Sequence, residues 1–237
     1  PLTARERSAL RFAEGDLYDA LDDHPRAIAA WTRGNELLQR RFEPSSLRSL
    51  VDGMRRTYSS AAFHSLPRSR VDGRPLVFIV GFPRAGAGLL DAVLSAHPDV
   101  YAGGRGTELQ RVADRLPVLL GATYPECVTR LDWAVPDRLA DQVLDPIRRG
   151  STTATHLTLC RPLDLTHLGL IAQLFPGARV IMVRRDARDA CLAAFRYPFH
   201  TPEHAFSTRI DHLAAAWGEY ERLARHWRDA LPLEMIE

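Results

Sequence analysis

A run of apolar residues that ends in a glycine-rich turn constrains this chain more than any other stretch. Leu76 to Asp91, LVFIVGFPRAGAGLLD, passes from five apolar residues through Gly81, Gly86 and Gly88 into an apolar helical pattern. The order is strand, phosphate loop, helix. A buried parallel strand delivers the chain to a tight turn, and the N–H groups that open the next helix lack intrahelical acceptors and can hold an anion. Gly81 and Gly86 have the spacing of a G-x-x-x-x-G-K-[ST] loop, but the Lys and Ser/Thr positions carry Ala87 and Gly88. That excludes an ATPase or GTPase loop.

At 237 residues, 46% hydrophobic and 25% charged, the chain has the composition of a globule with a substantial core, not of a disordered segment. No apolar run approaches the roughly 20 residues of a membrane helix, so no membrane partner is expected, and no signal-peptide pattern stands at Pro1. Cys127, Cys160 and Cys191 are odd in number and widely spaced, which argues for small buried residues in a reducing, cytoplasmic setting. A net charge of +2 is too small to argue for nucleic acid. All 31 basic residues are arginine, which closes any mechanism that needs a lysine and leaves bidentate anion binding open.

Ahead of the loop, Ala4 to about Arg41 has the pattern of two amphipathic helices. Leu10, Phe12, Leu17, Ala20 and Leu21 mark the first; Ala27, Ala30, Trp31, Leu37 and Leu38 mark the second. The break at Asp23-His24-Pro25 puts Pro25 in a first helical turn. The pair has the form of a single tetratricopeptide-type hairpin or of an unrelated helical hairpin, and either needs a neighbour to bury its faces. Ser45 to Phe63 reads as a further helix and Ser65 to Pro75 as a connector. Beyond the loop come a helix from about Gly86 to Ala96, a short strand near Val100-Tyr101, and a flexible turn at Ala102 to Gly106. Thr107-Glu108-Leu109-Gln110 follows as a capping box opening a helix to about Leu116. Asp132 to Arg149 reads as helix, His156 to Leu159 as strand, Leu165 to Phe175 as helix, and Arg179 to Val183 as a second buried strand. The helix of about Arg188 to Phe195 follows Arg184-Arg185-Asp186, and a long helix from about Ala205 to Leu231 carries Trp217, Tyr220 and Trp227 as core. Leu233 to Glu237 starts another strand.

The expected fold is α/β: a parallel sheet with a phosphate loop after its first strand, preceded by an α-helical hairpin. Along the chain this divides into a helical segment over 1–64 and an α/β domain over 75–237. Ligands in such sheets sit beyond the carboxyl ends of the strands, where both the loop and Arg184-Arg185 fall.

Three stretches carry a resemblance: PLVFIVGFPRAGAGLLDAVLSAHPDVYAGG, RPLDLTHLGLIAQLFPGARVIMVRRDARDACLAAF and AAWGEYERLARHWRDALP. Together they resemble the sulfotransferases that use 3′-phosphoadenosine 5′-phosphosulfate (PAPS), in particular bacterial proteins with a tetratricopeptide-like segment ahead of the sulfotransferase domain. The resemblance implies PAPS as cofactor, with Arg84, Ala85, Gly86, Ala87 and Gly88 in the 5′-phosphosulfate loop, and Arg185 and Ala193 in the 3′-phosphate segment. Against the family's P-R-S-G-T-T loop all three hydroxyls are gone, and Ala193 stands where the family has a serine. The family's Asp-Lys pair before a proline falls on Leu159 and Cys160, ahead of Arg161-Pro162. Its acidic acceptor base falls on Arg105, with Glu108 one helical turn on as a substitute and Arg105 itself as a replacement cation. A structural N-terminal acidic residue is the other reading of Glu108.

Each lost donor to a phosphate oxygen costs on the order of 1.5–3 kcal/mol, and a lost general base typically about 10²–10⁴ in rate. Two functions compete: a sulfotransferase-derived protein with a degenerate PAPS site that acts through binding or assembly, and an active PAPS-dependent sulfotransferase for a hydroxyl, amine or peptide acceptor. The substitutions favour the first. His200, His204 and His212 lack the Cys or carboxylate company of a metal site, so no metal is expected. Family members continue the strand at Leu233 to Glu237, so the chain is expected to be incomplete. Its sheet edge is then covered by a partner chain, a second copy, or the Pro198 to Phe206 segment; the helical hairpin is the other expected contact surface.

Overall fold

The computed structural model describes residues 2–150 and 154–237. In chain order the elements are α1 (Ala4–Ala20), α2 (His24–Leu37), α3 (Pro44–Thr57), α4 (Ser60–Phe63), β1 (Leu76–Gly81), α5 (Ala87–Leu94), β2 (Val100–Ala102), α6 (Glu108–Leu120), α7 (Val135–Arg148), β3 (His156–Cys160), α8 (Leu168–Leu174), β4 (Arg179–Val183), α9 (Ala187–Phe195), α10 (Ile210–Ala230) and β5 (Glu234–Ile236). Short 3-10 turns cover Glu126–Arg130, Pro162–His167 and Pro202–Thr208. The single helix expected over Ser45 to Phe63 is two, because the Ser59 hydroxyl accepts from the Ala62 N–H at 3.3 Å and caps a new start. The helix expected from Leu165 begins three residues later, after the 3-10 turn that Pro162 opens, and the long helix expected from Ala205 begins at Ile210.

By packing, the chain forms two compact units: the segment up to Leu47 with Arg185–Glu219, and Arg48–Arg184 with Tyr220–Glu237. This division follows contacts and not chain order, so it falls elsewhere than the 64/75 boundary read along the sequence.

The second unit contains an all-parallel sheet in the order β2-β3-β1-β4-β5. β1 is central because it is apolar throughout and pairs on both sides, Val77 lying opposite Thr158 on β3 and Arg179 on β4. Alternation sends Phe78 to one face, where it stacks on Phe175 at 5.7 Å, and Ile79 to the other, where Ala87, Leu90 and Leu94 of α5 cover it with Cys160. Trp227 of α10 is fully buried, packs edge-on against Tyr58 at 5.8 Å and donates its indole N–H to the Leu165 carbonyl at 2.7 Å. Because neighbouring strands all pair in parallel, the carboxyl ends of β1, β2, β3 and β4, at Gly81, Ala102, Cys160 and Val183, fall at one end of the sheet.

In the first unit, α1 opens with a true capping box: Glu6 N–H donates to the Thr3 hydroxyl at 3.2 Å and Thr3 N–H to the Glu6 carboxylate at 2.7 Å. The break to α2 is made by Asp23, which accepts from Arg26 N–H, with Pro25 in the first turn as the sequence predicts. The Trp31 indole fills the space that a side chain on Gly15 would need, which lets α1 and α2 approach closely. Arg196 lies over that indole at 4.8 Å, and Asn35 donates to the Phe195 carbonyl at 2.9 Å.

Candidate phosphate-loop site

The loop leaves β1 through Gly81 at φ 150°, where a β-carbon would run into the Val183 carbonyl of β4, so this position requires glycine. Phe82 turns into the core edge-on to Tyr220 at 5.7 Å and anchors the turn. Arg84 takes a left-handed conformation at φ 67°, and Gly86, at φ 119°, is the N-cap of α5 with no side chain to satisfy the first turn. Ala85 N–H is already used within the turn, donating to the Phe82 carbonyl at 3.2 Å, and Leu89 and Leu90 N–H both reach the Gly86 carbonyl. The Ala87 and Gly88 N–H groups, in the first turn of α5, have no intrahelical acceptor by construction. Of the N–H groups from Arg84 to Gly88, that of Ala85 is thus engaged within the turn, while those of Ala87 and Gly88 open α5.

The turn after β2 runs through Gly103, whose N–H donates to the Thr158 carbonyl at 2.8 Å, and Gly104, whose carbonyl accepts from Cys160 N–H at 3.1 Å. It turns Arg105 onto the phosphate loop: its Nη2 occupies the space a Gly88 β-carbon would take. Among the described residues this exposed guanidinium has no hydrogen-bond or ion-pair partner. The buried Cys160 feels this positive charge, but burial and Asp91 outweigh it and push its thiol up to about 11. Asp91 is itself engaged, accepting from the Thr158 hydroxyl at 2.6 Å.

Glu108 is the first residue of α6, and its carboxylate folds back over Gly106 and lies 3.5 Å from Arg111. It borders a small cleft with Gly104, Cys160, Arg161 and Asp164. The capping box expected at Thr107 does not form: the Thr107 hydroxyl makes no cap, and the Gln110 side chain is drawn elsewhere. Gln110 donates to Asp114 at 2.7 Å, which leaves its Oε1 facing His167 Nε2 at 2.9 Å and Arg161 at 3.4 Å. Since that oxygen can only accept, His167 donates from Nε2, and its Nδ1 accepts a hydrogen bond from the Tyr124 hydroxyl at 3.0 Å. Burial, with the Arg161 charge adding to it, lowers His167 to about 3. Arg161 and Asp164 form a buried ion pair at 2.6 Å. This network was missed in the sequence, where its signal is a charged i, i+3 pair, Arg161 and Asp164, at the head of the apolar run that reaches Leu174.

Arg184, the residue after β4, is held by Glu221 at 2.6 Å and Glu237 at 3.3 Å. Arg185, in the other unit, lies 3.9 Å from Asp189, and Ala193 is half-buried on α9, whose N-cap Asp186 accepts from Arg188 and Asp189. Of the three histidines weighed for metal, His204 stacks on Phe199 at 4.1 Å and His212 packs against Phe42 at 5.2 Å. Among the described residues no cluster of three or more His, Cys, Asp or Glu is arranged for a metal, and no helix is long and apolar enough to cross a membrane. Cys127, Cys160 and Cys191 are free thiols, all raised by burial.

Mouse protein-tyrosine sulfotransferase 1 is 35% identical over 122 residues, 48% of this chain and 32% of that protein. The human protein of the same name is 34% identical over 122 residues, again 48% and 32% of the two chains. An uncharacterised protein of Aquifex aeolicus (strain VF5) is 22% identical over 245 residues, covering 98% of this chain and 32% of its own length. The chain thus spans about a third of the length of these curated relatives. The model of the sulfotransferase family matches residues 75–237, more than half of the chain, and the protein therefore belongs to the sulfotransferase family.

Proposed function

We propose that this is a sulfotransferase of the bacterial type, with a tetratricopeptide-like hairpin, whose PAPS site is degenerate: it binds the nucleotide weakly, transfers sulfuryl groups poorly, and acts through binding or assembly. One observation carries the reading. The guanidinium of Arg105 is turned onto the phosphate loop, and by family resemblance Arg105 stands at the position of the acidic base. A guanidinium cannot accept an acceptor's proton, but it strengthens an anion site. The residues fit the polyanionic end of PAPS in part: the Ala87 and Gly88 N–H groups and Arg105 would hold the 5′-phosphosulfate, while Ala85, Ala87 and Gly88 offer no hydroxyl. By family resemblance, Arg185 would meet the 3′-phosphate without help from Ala193. When bound, PAPS supplies the activated sulfuryl group; positioning and charge stabilisation are what a protein adds to such transfers.

Assembly then uses a partner chain or a second copy at the hairpin or at the β5 edge, in the cytoplasm; the three free thiols agree with that location. A second reading, an active transferase, is favoured by Glu108, whose carboxylate borders the same cleft as Arg161. Calorimetric titration with 3′-phosphoadenosine 5′-phosphate, paired with a sulfuryl-transfer assay on a tyrosine-containing peptide, separates the two. Measurable binding with turnover near background is expected. Efficient transfer that is lost on Glu108→Gln would establish the second reading instead.

A further inference from the structure

Resting on that reading, we infer that Arg105 and Gly88 are an interdependent pair: the guanidinium of Arg105 is the side-chain ligand for the 5′-anionic end of the nucleotide, and it reaches there only because position 88 has no β-carbon. The family pattern has a hydroxyl residue at 88, an acidic residue at 105 and a lysine at 160. Here all three positions differ together, to Gly88, Arg105 and the thiol of Cys160. The structure connects them: Arg105 Nη2 stands where the β-carbon of residue 88 would be, and its charge bears on Cys160. The cation absent from strand β3 is thereby supplied from the turn after β2.

The surroundings leave it available for an anion. The nearest acidic side chain on α5, Asp91, is bonded to Thr158, and Glu108 faces Arg111. Among the described residues Arg105 itself has no partner, whereas Arg161 and Arg184 are both paired with carboxylates. The obstacle a β-carbon at 88 would meet is the tip of a flexible side chain, so the backbone accepts alanine and the guanidinium yields its place. Alanine is also the better helix former, so Gly88→Ala is expected to fold.

The test is a double-mutant cycle read by calorimetric affinity for 3′-phosphoadenosine 5′-phosphate, with adenosine 3′-phosphate, which lacks the 5′ group, as control. Arg105→Met and Gly88→Ala are each expected to weaken binding of the 5′-phosphorylated nucleotide about tenfold or more, the double variant no further than Arg105→Met alone, and the control ligand to bind all four proteins equally. Wild type that binds the nucleotide while Gly88→Ala leaves affinity unchanged, or a double variant weakened by the product of both effects, overturns the pairing and leaves the proposed function standing. Wild type that binds neither the nucleotide nor inorganic pyrophosphate overturns both.

Discussion

At the scale of single residues, the buried charges matter more than the exposed ones. Arg161 and Asp164 are 7% and 4% exposed and 2.6 Å apart, in a region otherwise filled by Leu163, Leu165 and Leu168. Neither charge tolerates burial alone. Asp164→Ala should cost about 3–5 kcal/mol by leaving Arg161 uncompensated, and Arg161→Met should cost a similar amount. Replacing both by apolar residues of similar volume should recover most of the loss, because the desolvation penalty is removed with the charges. Urea denaturation of the three variants decides this, and additive losses in the double variant would show that the pair is not the source of the effect. Most of the remaining ion pairs, such as Arg74 with Asp72 and Arg209 with Asp211, are exposed and contribute little.

Close backbone approach sets the geometry at the scale of elements. Gly81 ends β1 beside the Val183 carbonyl of β4, and Gly15 lets the Trp31 indole lie against α1. The two glycines have different consequences. A β-carbon on Gly81 meets backbone in a paired strand and holds a φ that L-residues rarely adopt, so Gly81→Ala should displace the start of the phosphate loop and destabilise the sheet by about 1–3 kcal/mol. Gly15→Ala instead forces Trp31 from its place, loosening the hairpin at a comparable cost. Hydrogen exchange distinguishes them: protection should fall in β1 and β4 for the first variant and in α1 and α2 for the second. Protection lost evenly in both regions by both variants would contradict the assignment. Helix ends follow the same local logic. Thr3 with Glu6 makes a capping box because nothing competes for either side chain, whereas Thr107 with Gln110 does not because His167 and Arg161 engage Gln110 first.

Across the whole molecule, the titration of buried histidines should govern acid stability. His167 is held near 3 in the folded protein by burial and by Arg161, against about 6.5 when unfolded, and His226 is also lowered by burial. Between these values the unfolded chain takes up a proton that the folded chain refuses. Stability is therefore complete above about pH 6.5 and falls as the pH drops toward 3, by at most about 1.4 kcal/mol per unit for His167. The depressed carboxylates act lower: Asp137, held at about 2 by its bonds from Arg70 and Ser69, gives up its contribution only as the pH falls below its ordinary value of 3.8. Thermal midpoints measured from pH 7 to pH 4.5 should decline in wild type and decline less in His167→Gln. Equal slopes would remove His167 from the explanation.

The sequence by itself determined the strand, loop and helix at Leu76 to Asp91, the buried strand at Arg179 to Val183, the helical hairpin with its break at Asp23, and the family. All of these rest on local pattern: apolar runs, glycine at positions that need positive φ, and capping residues near the ends of their own helices. Tertiary structure alone decided where Arg105 points, because a place in the sequence gives a position and not a direction; the direction follows from the turn that Gly103 and Gly104 make against β3. It also decided the fate of Gln110, whose partners lie at Arg161 and His167, 51 and 57 residues away. The two packed units escaped a chain-order reading for the same reason: the segment from Arg185 packs with the amino-terminal hairpin, and no periodicity along the chain records which distant faces meet.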